Sequence, residues 1–340
     1  MQRILRLTMG SLSVAGLIFG GMIWQARGWD NFKLRSFASA QVLRNQAQNV
    51  VNPRKQTSPE SIDSRVDMNE LLSGGVPKDG IPSIDVPEFD TAETTPFQGD
   101  DVVIGLVVNG EAKAYPFRVM DWHEIVNDTV GGMNVTVSYC PLCDTMVAFE
   151  RGETTFGVSG MLYQSCLVMY DRADETLYAQ PWGTAVLGPK VNEPLVRIPL
   201  VKTTLENWLA QYPESEILST RTGHNRNYQA YPYGSYYTDD NIIFPVRNQE
   251  ARTLHPKAIV SYIWQENGET PQNEFAGDSH QFVHDQLRQS GTQVVEFAGR
   301  QIRARWDEDL QTVMVEEMDG TVIPSSTAFA FVYPAFYGAD

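Results

Sequence analysis

Cysteine is scarce in this chain: 340 residues hold three, Cys140, Cys143 and Cys166. That excludes a disulfide-dense scaffold and leaves room for at most one internal bridge. Positive charge is also in short supply, with 26 Lys and Arg against 42 Asp and Glu and a formal net charge of -16. The deficit is uneven. Residues 1–60 carry eight Lys and Arg against only Asp30 and Glu60, so the remainder carries -22. An acidic body repels phosphate backbones, which argues against nucleic acid as a partner. There is no P-loop, no G-x-G-x-x-G, no G-x-S-x-G and no H-E-x-x-H, and no repeat recurs at a fixed period. What remains is 42% hydrophobic and 20% charged, enough apolar material for a core and too much for a wholly disordered chain.

One long uncharged run is present, Leu7 to Ala26, behind Arg3 and Arg6 and with Trp24 near its end. As a helix it reaches about 30 Å, roughly a bilayer core. Residues 1–27 therefore read as a signal anchor or transmembrane helix; the alternative is a signal peptide cut after Ala38-Ser39-Ala40. The expectation is a single-pass tether to the cell membrane with the body periplasmic or extracellular. Residues 28–75 read as a linker or arm, since Gln, Asn, Pro and Ser dominate from Gln41 onward. Residues 76–340 read as a single globular domain.

Within that domain, two apolar runs flank Asn109-Gly110, a strong hairpin signal. Pro116 is expected to open a short helix through Val126. Val135–Tyr139 and Met146–Phe149 read as strands on either side of Cys140-Pro-Leu-Cys143. Thr203-Thr-Leu-Glu206 is a capping box for a helix closed by Tyr212-Pro213. A second helix is expected over Ser279–Gln289, ended by Gly291, and alternating strands return from Ile302. The fold class is α+β, β-rich: mostly short antiparallel strands with a few short helices.

The sharpest chemical feature is Cys140-Pro-Leu-Cys143. Two thiols on one tight turn can chelate an ion or close a disulfide. In the metal reading, Cys140 and Cys143 with His123 hold a soft or borderline ion, copper or zinc. Cys166, His224, His255 and the pair His280/His284, four apart on the expected helix, are weaker donors. In the redox reading, Cys140 attacks and Cys143 resolves, but the strand-like residues after Cys143 lack the helix that such a pair favours. In the third reading the cysteines are structural, and His123, Glu124, Asp128 and Asp171 serve as acid–base or ligand-binding groups. Gln180, Trp182 and the run Tyr228, Tyr231, Tyr233, Tyr236 and Tyr237 belong to that reading, because tyrosines beside acids can line sugar or amine pockets. The bland alternative for the tyrosines is a covering loop. Whether the chain is an enzyme is left open by these residues.

The string Ala114-Tyr-Pro116, His123-Glu-Ile-Val-Asn-Asp128, Tyr139-Cys-Pro-Leu-Cys143, Phe156-Gly-Val-Ser-Gly160 and Met169-Tyr-Asp171 resembles a bacterial and archaeal family catalogued as a domain of unknown function, number 3179. The resemblance runs from about Val76 to Ala328-Phe-Ala-Phe-Val-Tyr-Pro334. It implies one domain, often behind an export signal, and brings no activity with it. The family's pattern rests on the CPLC pair and the HEIVND segment. Cys166 is not a position associated with it, which weighs against a site needing a third thiolate.

Overall fold

Runs of β-branched and aromatic residues punctuated by Gly, Asn and Asp set the architecture, because such runs favour pleated ladders and such punctuation favours tight turns. The structure, a computed structural model, describes residues 64–251, 253–266, 275 and 277–338. The apolar run at 7–26 and most of the expected linker lie outside the described residues. Among the described residues no helix is long and apolar enough to cross a membrane.

In chain order the elements are β1 (Leu71–Ser73), β2 (Phe89–Asp90), β3 (Val102–Val108), β4 (Glu111–Pro116), α1 (Phe117–His123), β5 (Ile125–Val130), β6 (Met133–Cys140) and β7 (Thr145–Glu150). Then come β8 (Phe156–Tyr163), β9 (Cys166–Asp171), β10 (Leu177–Ala179), β11 (Thr184–Leu187), β12 (Arg197–Ile198), β13 (Leu200–Thr204), α2 (Leu205–Gln211) and β14 (Glu216–Leu218). The remainder holds β15 (Ile259–Glu266), β16 (Gly277–Val283), α3 (His284–Ser290), β17 (Thr292–Phe297), β18 (Arg300–Asp307), β19 (Thr312–Glu317), β20 (Ser326–Phe329) and α4 (Val332–Tyr337). The β-rich α+β class is what the structure shows.

The strands form five sheets, in the orders β13-β3-β4-β14-β2, β12-β7-β6-β5, β1-β8-β9-β10-β11, β16-β15-β20 and β17-β18-β19. Among the described residues the paired strands are antiparallel except β4 with β14. The β3–β4 hairpin turns at Asn109 and Gly110 with positive φ at both, the geometry that Asn-Gly favours.

The β12-β7-β6-β5 sheet decides where the chemistry lies. Its two faces feed two different cores. Val135, Val137 and Tyr139 of β6 and Met146 and Ala148 of β7 pack with Ile104, Tyr115, Met120 and Trp208. Cys140, Val147 and Phe149 pack instead with Phe156, Cys166, Trp182, Tyr262 and Phe331. The period-two alternation of a strand thus sends Tyr139 and Cys140 to opposite sides. A third, smaller core gathers Ile263, Phe282, Ile302, Ala304 and Trp306.

Four local expectations are corrected. The helix after Pro116 stops at His123. Glu124 takes a left-handed φ of 58° and its N–H bonds to the Met120 carbonyl, and Val126 then pairs with Val137 as strand. Glu124 and Asp128 therefore never share a helix face. Residues 279–283 are strand: β16 pairs with β15 from Glu266–Gly277 to Val260–Val283, and the helix begins only at His284. His280 and His284 accordingly do not stand one turn apart on a helix. The cap of α2 is Thr204, whose hydroxyl accepts from Asn207 N–H, while Thr203 donates to the Leu310 carbonyl. Finally, the part of the expected arm that is described, from Ser64, is docked: Val66 is buried and β1 pairs with β8.

Candidate functional site

The turn between β6 and β7 carries Cys140-Pro141-Leu142-Cys143-Asp144. Cys143 N–H bonds back to the Cys140 carbonyl at 3.3 Å, and Phe329 N–H donates to the Cys143 carbonyl at 2.9 Å. Asp144 has a left-handed φ of 52°, a conformation that Asp tolerates better than most residues. The turn's two sides hold two clusters.

On one side are the thiols. Cys140, Cys143 and Cys166 are all buried and all free. Cys143 is a side-chain hydrogen-bond neighbour of both Cys140 and Cys166. Cys166 gets there by topology. It opens β9 after a tight turn with positive φ at Gln164 and Ser165, and Leu167 N–H donates to Cys140 Sγ at 3.3 Å. Tyr236 covers the turn by donating to the Leu142 carbonyl at 2.7 Å. Burial pushes the Cys140 and Cys143 thiols well above their ordinary values and the Cys166 thiol up to about 11.

On the other side is a carboxyl cluster. Asp144 is fully buried, and it accepts from Tyr139 Oη at 3.1 Å, Lys202 Nζ at 2.5 Å and Tyr237 Oη at 3.4 Å. Lys202 arrives from β13. Burial works against its charge, but Asp144 and Tyr237 outweigh burial and hold the ammonium above its usual range. Asp121, on α1, has its Oδ1 buried without a hydrogen-bond partner among the described residues. Burial, then the nearby Asp144 and Glu124 carboxylates, pushes the Asp121 carboxyl up to about 8. Glu124 accepts from Tyr233 Oη at 2.8 Å, and burial raises it to about 7. Tyr231, whose hydroxyl is likewise buried without a partner, lies within electrostatic reach of Asp121 and Asp144. The tyrosine run from 228 to 237 thus covers the site and also supplies hydroxyls to it.

A cleft of about 280 Å³ opens beside this cluster. Lys202 and Tyr237 belong to both. Its far wall carries His284, Arg288, Trp306 and Thr312. Trp306 is 7% exposed, and its indole N–H is buried without a partner. Arg288 lies over the Trp306 ring at 4.7 Å.

The other expected site residues are placed as follows. His123 is buried, with Nδ1 2.7 Å from the Pro82 carbonyl and Nε2 2.7 Å from Tyr228 Oη. Burial lowers it to about 4. Its ring neighbours His224 at 5.4 Å. Among the described residues no three His, Cys, Asp or Glu side chains gather so as to hold a metal. His255 pairs with Asp240 at 3.0 Å on the surface, His280 neighbours Gln293, and His284 meets Ser261 Oγ at 2.8 Å. Asp128 accepts from Lys113 Nζ at 3.2 Å and Tyr115 Oη at 2.8 Å, an internal brace between neighbouring strands. Asp171 is braced by Lys190 Nζ at 2.7 Å and by Ala173 N–H at 2.8 Å. The Gln180 amide donates to the Thr145 carbonyl at 2.9 Å, across the cysteine turn.

Of the expected acid–base residues, only Glu124 joins the carboxyl cluster, together with the tyrosine run. Asp121, Asp144 and Lys202 were not anticipated. Asp144 directly follows the CPLC motif and Asp121 stands two before His123, so proximity to the motif was a usable signal for both. Lys202 sits in a strand with no local mark of function. No curated protein and no solved structure gives a significant match to the chain. Both clusters lie between residues 78 and 321, the stretch matched by the model of the family described as "Protein of unknown function (DUF3179)", and the chain belongs to that family.

Proposed function

We propose that the chain is an acid–base enzyme or small-ligand-binding domain whose working groups are Asp121, Glu124, Asp144 and Lys202 beneath the tyrosine segment. One observation carries this reading. A half-buried carboxyl, Asp121, whose enclosed Oδ1 has no hydrogen-bond partner among the described residues, stands beside the carboxylate–ammonium pair of Asp144 and Lys202. Perturbed carboxyls beside a cleft are candidates for proton transfer. In this assignment Asp121 carries the exchangeable proton. Asp144, held by three donors, is the fixed charge that tunes it, and Lys202 links the cluster to the cleft.

The cleft's Lys202 and Arg288 are already paired, with Asp144 and Asp285, which suits an uncharged, hydroxyl-rich molecule. Threonines, Gln311 and Tyr237 of the lining offer hydrogen bonds, and the aromatic rings offer apolar faces. The test is saturation-transfer NMR on the full chain with a panel of mono- and oligosaccharides and polyols. At least one is expected to bind, with affinity reduced about tenfold or more in Asp121→Asn and Lys202→Met, the cost of one lost buried polar contact. A panel that never binds, or binding that both variants leave untouched, overturns the assignment.

A further inference from the structure

The three sulfurs take no part in the proton chemistry just assigned, and their arrangement suggests a second site. Two are three positions apart on the β6–β7 turn, and the third is brought from the β8–β9 turn by a different sheet. Cys143 is the middle member, in side-chain contact with Cys140 on one side and Cys166 on the other. The Thr145 hydroxyl neighbours both Cys143 and Cys166, and Leu167 N–H points at Cys140 Sγ. Leu167 N–H, 3.3 Å from Cys140 Sγ, is a donor that favours the Cys140 anion, against the burial that raises all three thiols.

We propose that Cys140, Cys143 and Cys166 form a thiol–disulfide exchange site with Cys143 as the shared sulfur, able to pair with either neighbour. The oxidant is a small dialkyl disulfide of the glutathione class. One cysteine loses its proton and its sulfur attacks the disulfide. The S–S bond of the reagent breaks, and one thiol leaves carrying a proton. The partner cysteine then attacks the mixed disulfide and releases the second thiol. The net change is two cysteine thiols oxidised to one disulfide and one reagent disulfide reduced to two thiols. The proton that the attacking cysteine gives up leaves on the reagent's first thiol. Because Cys143 is common to both contacts, the bridge can pass from Cys140–Cys143 to Cys143–Cys166 by attack of the third thiol, with no further oxidant.

The experiment incubates the full chain in a series of glutathione and glutathione disulfide ratios, traps free thiols by alkylation and maps linked peptides by mass spectrometry. Two of the three thiols are expected to disappear at the oxidising limit, with both Cys140–Cys143 and Cys143–Cys166 linkages detected. Cys166→Ala keeps the first linkage alone, and Cys143→Ala retains both remaining thiols free. Three alkylatable cysteines at the oxidising limit, or oxidation only after urea is added, makes the trio an inert part of the core and overturns the proposal. So does a predominant Cys140–Cys166 bridge. The wild-type measurement decides the matter even if a variant fails to fold.

Discussion

Lys202 Nζ lies 2.5 Å from Asp144 Oδ2, and neither side chain is more than 14% exposed. The two come from different sheets, β13 and the end of the β6–β7 turn, so the pair ties the cysteine turn to the β3–β4 sheet. Removing one member leaves the other buried and uncompensated. Lys202→Met is therefore expected to cost about 3–5 kcal/mol, the range for breaking a buried pair from one side. Lys202→Met combined with Asp144→Asn should recover part of that loss, because no lone charge remains. Urea unfolding midpoints of the wild type, both single variants and the double variant measure it. A Lys202→Met midpoint equal to that of the wild type would show that the pair is not closed in solution.

Asp121 gives a pH signature whose sign can be worked out. Its carboxyl is raised from 3.8 to about 8 in the folded chain. The folded state then holds a proton that the unfolded state has already released, so the slope of stability with pH is negative. The contribution is complete below pH 3.8, falls progressively above it and is gone once the pH passes about 8. Asp121→Asn cannot titrate. Relative to this variant, the wild type should lose stability steadily between pH 5 and pH 8 and no further above pH 9. Denaturant midpoints of the two proteins across that range provide the difference, and parallel curves would place the Asp121 carboxyl in water.

His123 and His284 act with the opposite sign. Burial lowers them from 6.5 to about 4 and about 3 respectively. In each case the unfolded state takes up a proton that the folded state refuses, so stability falls as pH drops below 6.5. His284→Gln, which can still meet Ser261 through its amide, should be less acid-sensitive than the wild type between pH 6 and pH 4. Melting temperatures over that interval are the measurement. An unchanged difference between the two proteins across the interval would mean that His284 titrates normally.

Much of this fold could be read in the chain, and the reasons it stopped are physical. Asn109-Gly110 marks its hairpin because few other dipeptides accept positive φ twice. The alternation of Ile302, Ala304 and Trp306 with Arg303 and Arg305 marks β18 because it matches a half-buried sheet. Local pattern failed where long-range pairing decides. Ser279–Val283 has no strong strand signature of its own and becomes strand because β15 lies beside it. The CPLC turn was legible as a turn, but its companions were not. Cys166 and Lys202 reach the turn from other sheets, 23 and 59 positions beyond Cys143 in the sequence. His123 was legible as unusual, yet its partners Pro82 and Tyr228 lie 41 and 105 residues away.

Gly105 offers a test of how α2 seats on the β13-β3-β4 sheet. A Cβ built at Gly105 would stand 2.2 Å from Trp208 Cζ3, far inside contact distance. The indole cannot easily retreat, because Trp208 is 2% exposed and its Nε1 donates to Ser215 Oγ at 2.7 Å. Gly105→Ala therefore forces the strand and helix apart and should cost about 1–3 kcal/mol, as overpacking does in a filled core. Trp208→Leu alone leaves a cavity and should cost more, about 3 kcal/mol or above. The two changes together should cost less than their sum, since the smaller side chain makes room for the new methyl group. A double variant whose loss equals the sum of the singles would mean that the methyl group and the indole never meet, and that α2 is seated elsewhere on the sheet.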